Sequence, residues 1–168
     1  FLGAHPGIRV HCNALESDSN NALGQELLYL GLPAPLFTID FDCGINPIPK
    51  KAFQRFFDNL SPTFGHMISL GQSNTIVACP GLTTHSELSH EALAQAGISP
   101  TTIRFAVGDE DPRDLLSHLV SAAKLSIDPS SPGFSEGFPG AAEAQELIET
   151  CYMQAHERYI RARPIKWT

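Results

Sequence analysis

The chain is short of charge. Only 17% of its 168 residues are Asp, Glu, Lys or Arg, against about 25% in soluble domains generally. A lone soluble domain has more charge to place in water. The surface is therefore either uncharged-polar or covered in part by something else. Basic residues are the scarcer sign, with 11 Lys and Arg against 18 Asp and Glu. That balance argues against nucleic acid as a partner, because neutralising phosphates requires a basic patch. The one basic cluster, Arg158, Arg161, Arg163 and Lys166, falls at a predicted helix end, where cations complement the helix dipole. No run of about 18 apolar residues exists, so no membrane-spanning helix is expected. Nor is there a secretory leader with a basic start and an apolar centre. The first residue is Phe1 rather than Met, and the expectation is a piece of something longer. The four cysteines, Cys12, Cys43, Cys79 and Cys151, form no C-x-x-C pair, which removes zinc and thioredoxin-like readings. Their scatter fits small buried hydrophobes in a reducing, cytoplasmic compartment. The sequence has no G-x-G-x-x-G and no G-K-[ST], hence no readable phosphate cradle.

What is present excludes disorder: 42% of residues are apolar and the net charge is only −7. The length suits one domain. Asp18 and Ser19 predict the cap of a helix through Leu23, Leu27, Leu28 and Leu30 that ends at Gly31. Phe37, Ile39 and Phe41 alternate with Thr38, Asp40 and Asp42, which predicts a strand with one buried face. A Gly/Pro turn over 43–49 precedes a helix from about Pro49 to Leu60, with Phe53, Phe56, Phe57 and Leu60 on one side. His66–Leu70 and Thr75–Cys79 read as short strands around Gly71. Ser89 caps a helix closed by Gly97, and Thr102–Val107 is a further strand. Asp111-Pro112 opens a helix that buries Leu115, Leu116 and Leu119. Residues 126–140, rich in Pro, Gly and Ser, predict a linker or surface loop. A last amphipathic helix spans about 141–161, with Ala144, Leu147, Ile148, Cys151 and Ala155 on its apolar face. The pattern predicts an α+β fold, a small sheet with helices on one face, plus a C-terminal helical extension.

Few residues offer chemistry on their own. His85 and His90 in H-S-E-L-S-H do not share a helix face at that spacing, so a surface loop leading into a capped helix reads better than a metal site. Asp109, Glu110 and Asp111 are adjacent and point apart; acids before a helix favour its positive end. Arg104 sits mid-strand between Ile103 and Phe105. It is either a solvated strand arginine or a fork that pairs a carboxylate through two parallel hydrogen bonds. Periodicity leaves both readings open.

The run from Gly81 to Leu116 carries T-H-S-E-L-S at Thr84–Ser89, then A-G-I at Ala96–Ile98, then I-R-F-A-V-G-D-E-D at Ile103–Asp111. It closely resembles the pyridoxal-phosphate-dependent Cys/Met metabolism (transsulfuration) family, which includes cystathionine γ-synthase, the γ-lyases and O-acetylhomoserine sulfhydrylase. Ser69-Leu70-Gly71 resembles the family's S-L-G turn, 35 residues before Arg104 as in the family, and Phe1–Pro6 resembles its F-L-x-x-H-P. The resemblance covers residues 1 to about 125. It implies the C-terminal small domain of a fold-type I enzyme, an antiparallel sheet with helices on one side, with 126–168 as linker and helical extension. It further implies pyridoxal phosphate as cofactor, an amino-acid substrate, and a homotetramer with active sites shared between subunits. Arg104 would bind the substrate α-carboxylate, Ser69 would help hold it, and Thr84 would lie beside that site and support the arginine.

The sequence departs from the family in two places. Its only lysines are Lys50, Lys51, Lys124 and Lys166, and none stands in the family's S-x-[TS]-K setting. The expectation is that the cofactor belongs to a lysine-bearing N-terminal domain, in the same or a separate chain, and that this chain alone does not catalyse. Asn74 stands where many members carry an acidic residue near the distal end of the substrate. Its neutrality points to γ-elimination and replacement on an O-acylated homoserine rather than recognition of a distal ammonium. The alternatives are a C–S lyase of the methionine or cystathionine γ-lyase kind and a non-catalytic binding or assembly module.

Overall fold

Alternation of Phe37 and Ile39 with Thr38 and Asp40 sets the sheet. The computed structural model describes residues 1–41 and 47–162, without the His90 side chain. The strands are β1 (Arg9–His11), β2 (Leu36–Asp40), β3 (Gly65–His66), β4 (Ile76–Ala78) and β5 (Ile103–Ala106), in spatial order β1-β2-β5-β4-β3. Every neighbouring pair is antiparallel except β3 with β4. The helices are α1 (Asn21–Leu27), α2 (Lys50–Asp58), α3 (His90–Gln95), α4 (Pro112–Ser126) and α5 (Ala141–Ala162). The fold is α+β.

Ile39, Val77, Ile103 and Phe105 of the strands join Phe53 and Phe56 of α2 and Leu115, Leu119 and Ala123 of α4 in one buried cluster. Phe37 stacks on Phe105 across β2 and β5 at 5.1 Å. Each such side chain contributes about 1.5–3 kcal/mol by burial. Asp40 lies on the other side of the alternation and is nonetheless buried. Its carboxylate accepts from the hydroxyls of Ser99 (2.7 Å) and Thr102 and from His11 Nε2 (3.0 Å), which satisfies a charge that burial would otherwise penalise. Local signals fix the helix ends. Ser89 Oγ accepts from Ala92 N, Gly97 takes φ +70° after α3, and Asp111 caps α4 with Pro112 at its first position.

The chain forms two compact units, residues 1–11 with 35–139, and residues 12–34 with 140–168. A cage surrounds His5, which is buried within the first unit. His5 Nδ1 accepts from Gly7 N at 2.9 Å, so Nε2 carries the proton and donates to Phe134 O at 2.8 Å. The ring packs against Phe134 and Phe138 at 4.2 and 4.5 Å, and Phe1 stacks on Phe138 at 5.5 Å. The segment rich in Pro, Gly and Ser is thus tied to the N-terminus and carries a short 3-10 turn, Phe134–Gly137.

Burial pushes the His5 imidazole below its ordinary 6.5. The folded state therefore keeps His5 neutral, and the unfolded chain takes up the extra proton. Its contribution to stability is full above about pH 6.5 and is lost as the pH falls through the lowered value. The thermal midpoint is expected to fall between pH 7 and 5 more steeply in the wild type than in H5Q. Parallel profiles would contradict the cage.

Two local expectations fail. The strand foreseen over His66–Leu70 stops at His66. Met67 N still reaches Val77 O at 3.2 Å, but Met67, Ile68 and Leu70 are exposed, because β3 is an edge strand whose only neighbour in the sheet is β4. In the second unit, Asp18 does not cap α1. Its Oδ1 accepts from Asn20 N in the turn before the helix, the helix starts at Asn21, and it ends before a 3-10 turn in which Leu30 takes φ 59°. Leu23 and Leu27 are exposed. In α5, Ile148 is buried and Cys151 is exposed. Arg158 Nη1 donates to Gly31 O at 3.0 Å. Cys43, Arg163, Lys166 and most of the expected 43–49 turn lie outside the described residues.

Candidate functional site

Arg104 projects from the centre of the sheet. β5 puts Ile103 and Phe105 into the core, so Arg104 faces the opposite side, in register with Thr38 on β2 and Ala78 on β4. The side chain is half-buried. Its Nη2 donates to Ser69 O at 3.2 Å, while Nε is buried with no hydrogen-bond partner among the described residues. An unsatisfied buried donor costs about 1–3 kcal/mol. A carboxylate is the group whose two oxygens match this fork.

Ser69 arrives here because the chain leaves β3 after His66, turns at Gly71 with φ +73°, and returns to enter β4. Its contact with Arg104 runs through the main-chain carbonyl rather than the hydroxyl. Ser69 and Arg104 are therefore brought together. A cavity of about 450 Å³ is lined by Ser69 together with Phe57, His66, Ile68, Ala78 and Thr83 among others; Arg104 does not line it. Thr84 is exposed, with its hydroxyl 2.8 Å from His85 Nδ1. Asn74 is exposed and packs by Gly65, where an added Cβ would come within 3.1 Å of its Nδ2.

Glu110 is the residue that sequence reasoning passed over. Of the three adjacent acids only Asp111 acts at the helix start, accepting from Arg113 N and pairing with its guanidinium at 3.0 Å. Glu110 turns back to β4 instead. It accepts from the Thr75 amide and, at 2.7 Å, from the Thr75 hydroxyl. Burial pushes the Glu110 carboxyl up, but these Thr75 donors outweigh it and hold the group below its ordinary 4.5. The signal for it was its fixed place in V-G-x-E-D, six residues past Arg104.

Pyridoxal phosphate requires an amine for its aldehyde and donors for its phosphate. Lys51 and Lys124 are exposed. Lys50 borders a separate cavity of about 420 Å³, in which Gln54 and Thr101 are the only other polar side chains among the described residues. The described residues thus do not fit the cofactor. Among them no group of three His, Cys, Asp or Glu could hold a metal ion, and no helix is long and apolar enough to cross a membrane.

The chain is 40% identical over 125 residues to L-methionine gamma-lyase from Pseudomonas deceptionensis, covering 74% of this chain and 29% of that one. It is 35% identical over 94 residues to O-acetyl-L-homoserine sulfhydrylase 1 from Thermus thermophilus, covering 56% and 21%. Among solved structures it resembles cystathionine gamma synthase from Xanthomonas oryzae in complex with cystathionine, with TM-score 0.62 and 28% identity over 75% of this chain and 32% of that one. The chain therefore spans between a fifth and a third of the length of these proteins. The family described as "Cys/Met metabolism PLP-dependent enzyme" matches residues 1–124. With this match over most of its length, the chain belongs to the pyridoxal-phosphate-dependent Cys/Met metabolism family.

Proposed function

We propose that this chain is the substrate-binding small domain of an enzyme that replaces the γ-substituent of an O-acylated homoserine. Arg104 takes the α-carboxylate, and the Ser69 carbonyl orients the guanidinium. Thr84 borders the site, and Asn74 stands at the distal end of the substrate. The observation that carries the reading is the buried Nε of Arg104, which has no partner among the described residues. A lysine-bearing domain, in this or another chain, brings the cofactor, and the whole works in the cytoplasm as a homotetramer. Holding the carboxylate at a fixed fork restricts the amino acid to one orientation, which lowers the barrier by positioning.

The 40% identity to a methionine γ-lyase favours a second reading, elimination without an added nucleophile. Both are tested on the intact, cofactor-loaded enzyme with O-acetyl-L-homoserine and a thiol. Replacement gives acetate and thioether in equal amounts. Elimination gives acetate, ammonia and 2-oxobutanoate whether or not thiol is present. Turnover of neither O-acetylhomoserine nor methionine would contradict the proposal.

A further inference from the structure

Loop 69–75, which carries Ser69 and Asn74, is tied down at both ends by one stretch of chain. At its start, Ser69 O accepts from Arg104 on β5. At its end, the residues that follow β5 grip it. Asp109 N donates to Ser73 O at 2.9 Å, and Gly108 N donates to Thr75 Oγ1 at 2.9 Å. The Glu110 carboxylate then takes both the amide and the hydroxyl of Thr75. The Thr75 hydroxyl accepts from Gly108 N and spends its single proton on Glu110. Thr75 is buried, so water cannot readily replace the carboxylate. The contacts are too close to tolerate slack, since a Cβ on Gly108 would sit 2.3 Å from Ser73 O.

The geometry points to Glu110 as a positioning residue for the carboxylate subsite: by holding Thr75 it fixes the path of loop 69–75 and so the Ser69 carbonyl that aims the Arg104 fork. This rests on the reading of Arg104 given above. An ionised Glu110 is what the two donors require, and the lowered carboxyl keeps it so at neutral pH. A neutral amide in its place can accept from the Thr75 amide, but it cannot accept from the hydroxyl with its second atom. The loop would then be free to shift by a fraction of an ångström, while the charges at the reacting end stay unchanged.

The test is a comparison of E110Q, T75V, T75S and R104K in the intact enzyme with O-acetyl-L-homoserine. Misplacement by an ångström costs up to about 100-fold, so E110Q and T75V are expected to raise KM roughly 10- to 100-fold. In both, kcat should move much less. T75S keeps both donors and should retain the wild-type KM. Should E110Q fail to fold, T75V, which keeps the amide donor and the shape, carries the test. A lower thermal midpoint with unchanged KM in E110Q and T75V would overturn the inference, reducing Glu110 to a structural clamp. If R104K itself leaves KM unchanged, the carboxylate reading fails and this inference falls with it. If R104K raises KM and the other two do not, only the inference fails.

Discussion

Replacing Arg104 by lysine or methionine in the intact enzyme is expected to lower kcat/KM by about 2–5 kcal/mol of lost interaction, roughly 30- to several thousand-fold. The estimate follows from where Arg104 stands. Its guanidinium rises from mid-sheet with Nη2 already committed to Ser69 O and with Nε buried and unpaired. A carboxylate that reaches the guanidinium gains a charged hydrogen bond to a donor that has no other partner among the described residues. R104K keeps the charge but removes the planar fork, so two parallel bonds cannot form. R104M removes the charge as well and leaves the substrate carboxylate desolvated without a partner. The expected order is therefore wild type, then R104K, then R104M, with most of the loss in KM. Steady-state kinetics checks it. Cofactor absorbance should be unchanged in both variants, since the described lysines and their surroundings offer the cofactor no seat. Equal activity of R104K and wild type would mean that Arg104 is a solvated strand residue.

The second large effect is on stability. G108A is expected to cost about 2–4 kcal/mol, the sum of overpacking against fixed backbone and the hydrogen bonds it displaces. The added Cβ would lie 2.3 Å from Ser73 O, 2.6 Å from the Asn74 carbonyl carbon and 2.6 Å from Glu110 Oε2. Two of these are main-chain atoms held by the Asp109–Ser73 and Glu110–Thr75 bonds, so neither side can give way cheaply. Gly71 supplies the contrast. It takes φ +73° with no atom within 4 Å of its added Cβ, so G71A carries only the left-handed backbone cost of about 1–2 kcal/mol. Thermal denaturation of the two variants separates a steric cause from a conformational one. G108A as stable as wild type would mean that loop 69–75 does not rest on the segment after β5.

Much of this was legible from side-chain pattern alone. The period of Phe37, Ile39 and Phe41 gives β2 and its core face, and Pro112 after Asp111 gives the start of α4 to the residue. These features are local, and local physics suffices for them. The apolar run Met67–Leu70 misleads because a strand also needs a neighbour, and the partner strand β4 pairs only as far as His66 and Val77. The segment around Phe134 and Phe138 misleads because its Pro and Gly signal a loop correctly, while its burial comes from His5, more than a hundred residues away in sequence. Arg104 shows the same limit at the site. Alternation told which face it takes, but whether that face is solvated depended on the carbonyl of Ser69 crossing over it. Glu110 read as one of three helix-start acids, because only the tertiary approach of Thr75 gives it a different task.

The most direct test of the central claim is a crystal structure of the intact enzyme with an unreactive amino-acid ligand bound. The account predicts the ligand's α-carboxylate oxygens at about 2.7–2.9 Å from Arg104 Nε and a terminal guanidinium nitrogen, as in charge-assisted pairs, with the Ser69 carbonyl still on Nη2. A ligand carboxylate bound elsewhere, with Arg104 Nε still unpaired, would contradict it.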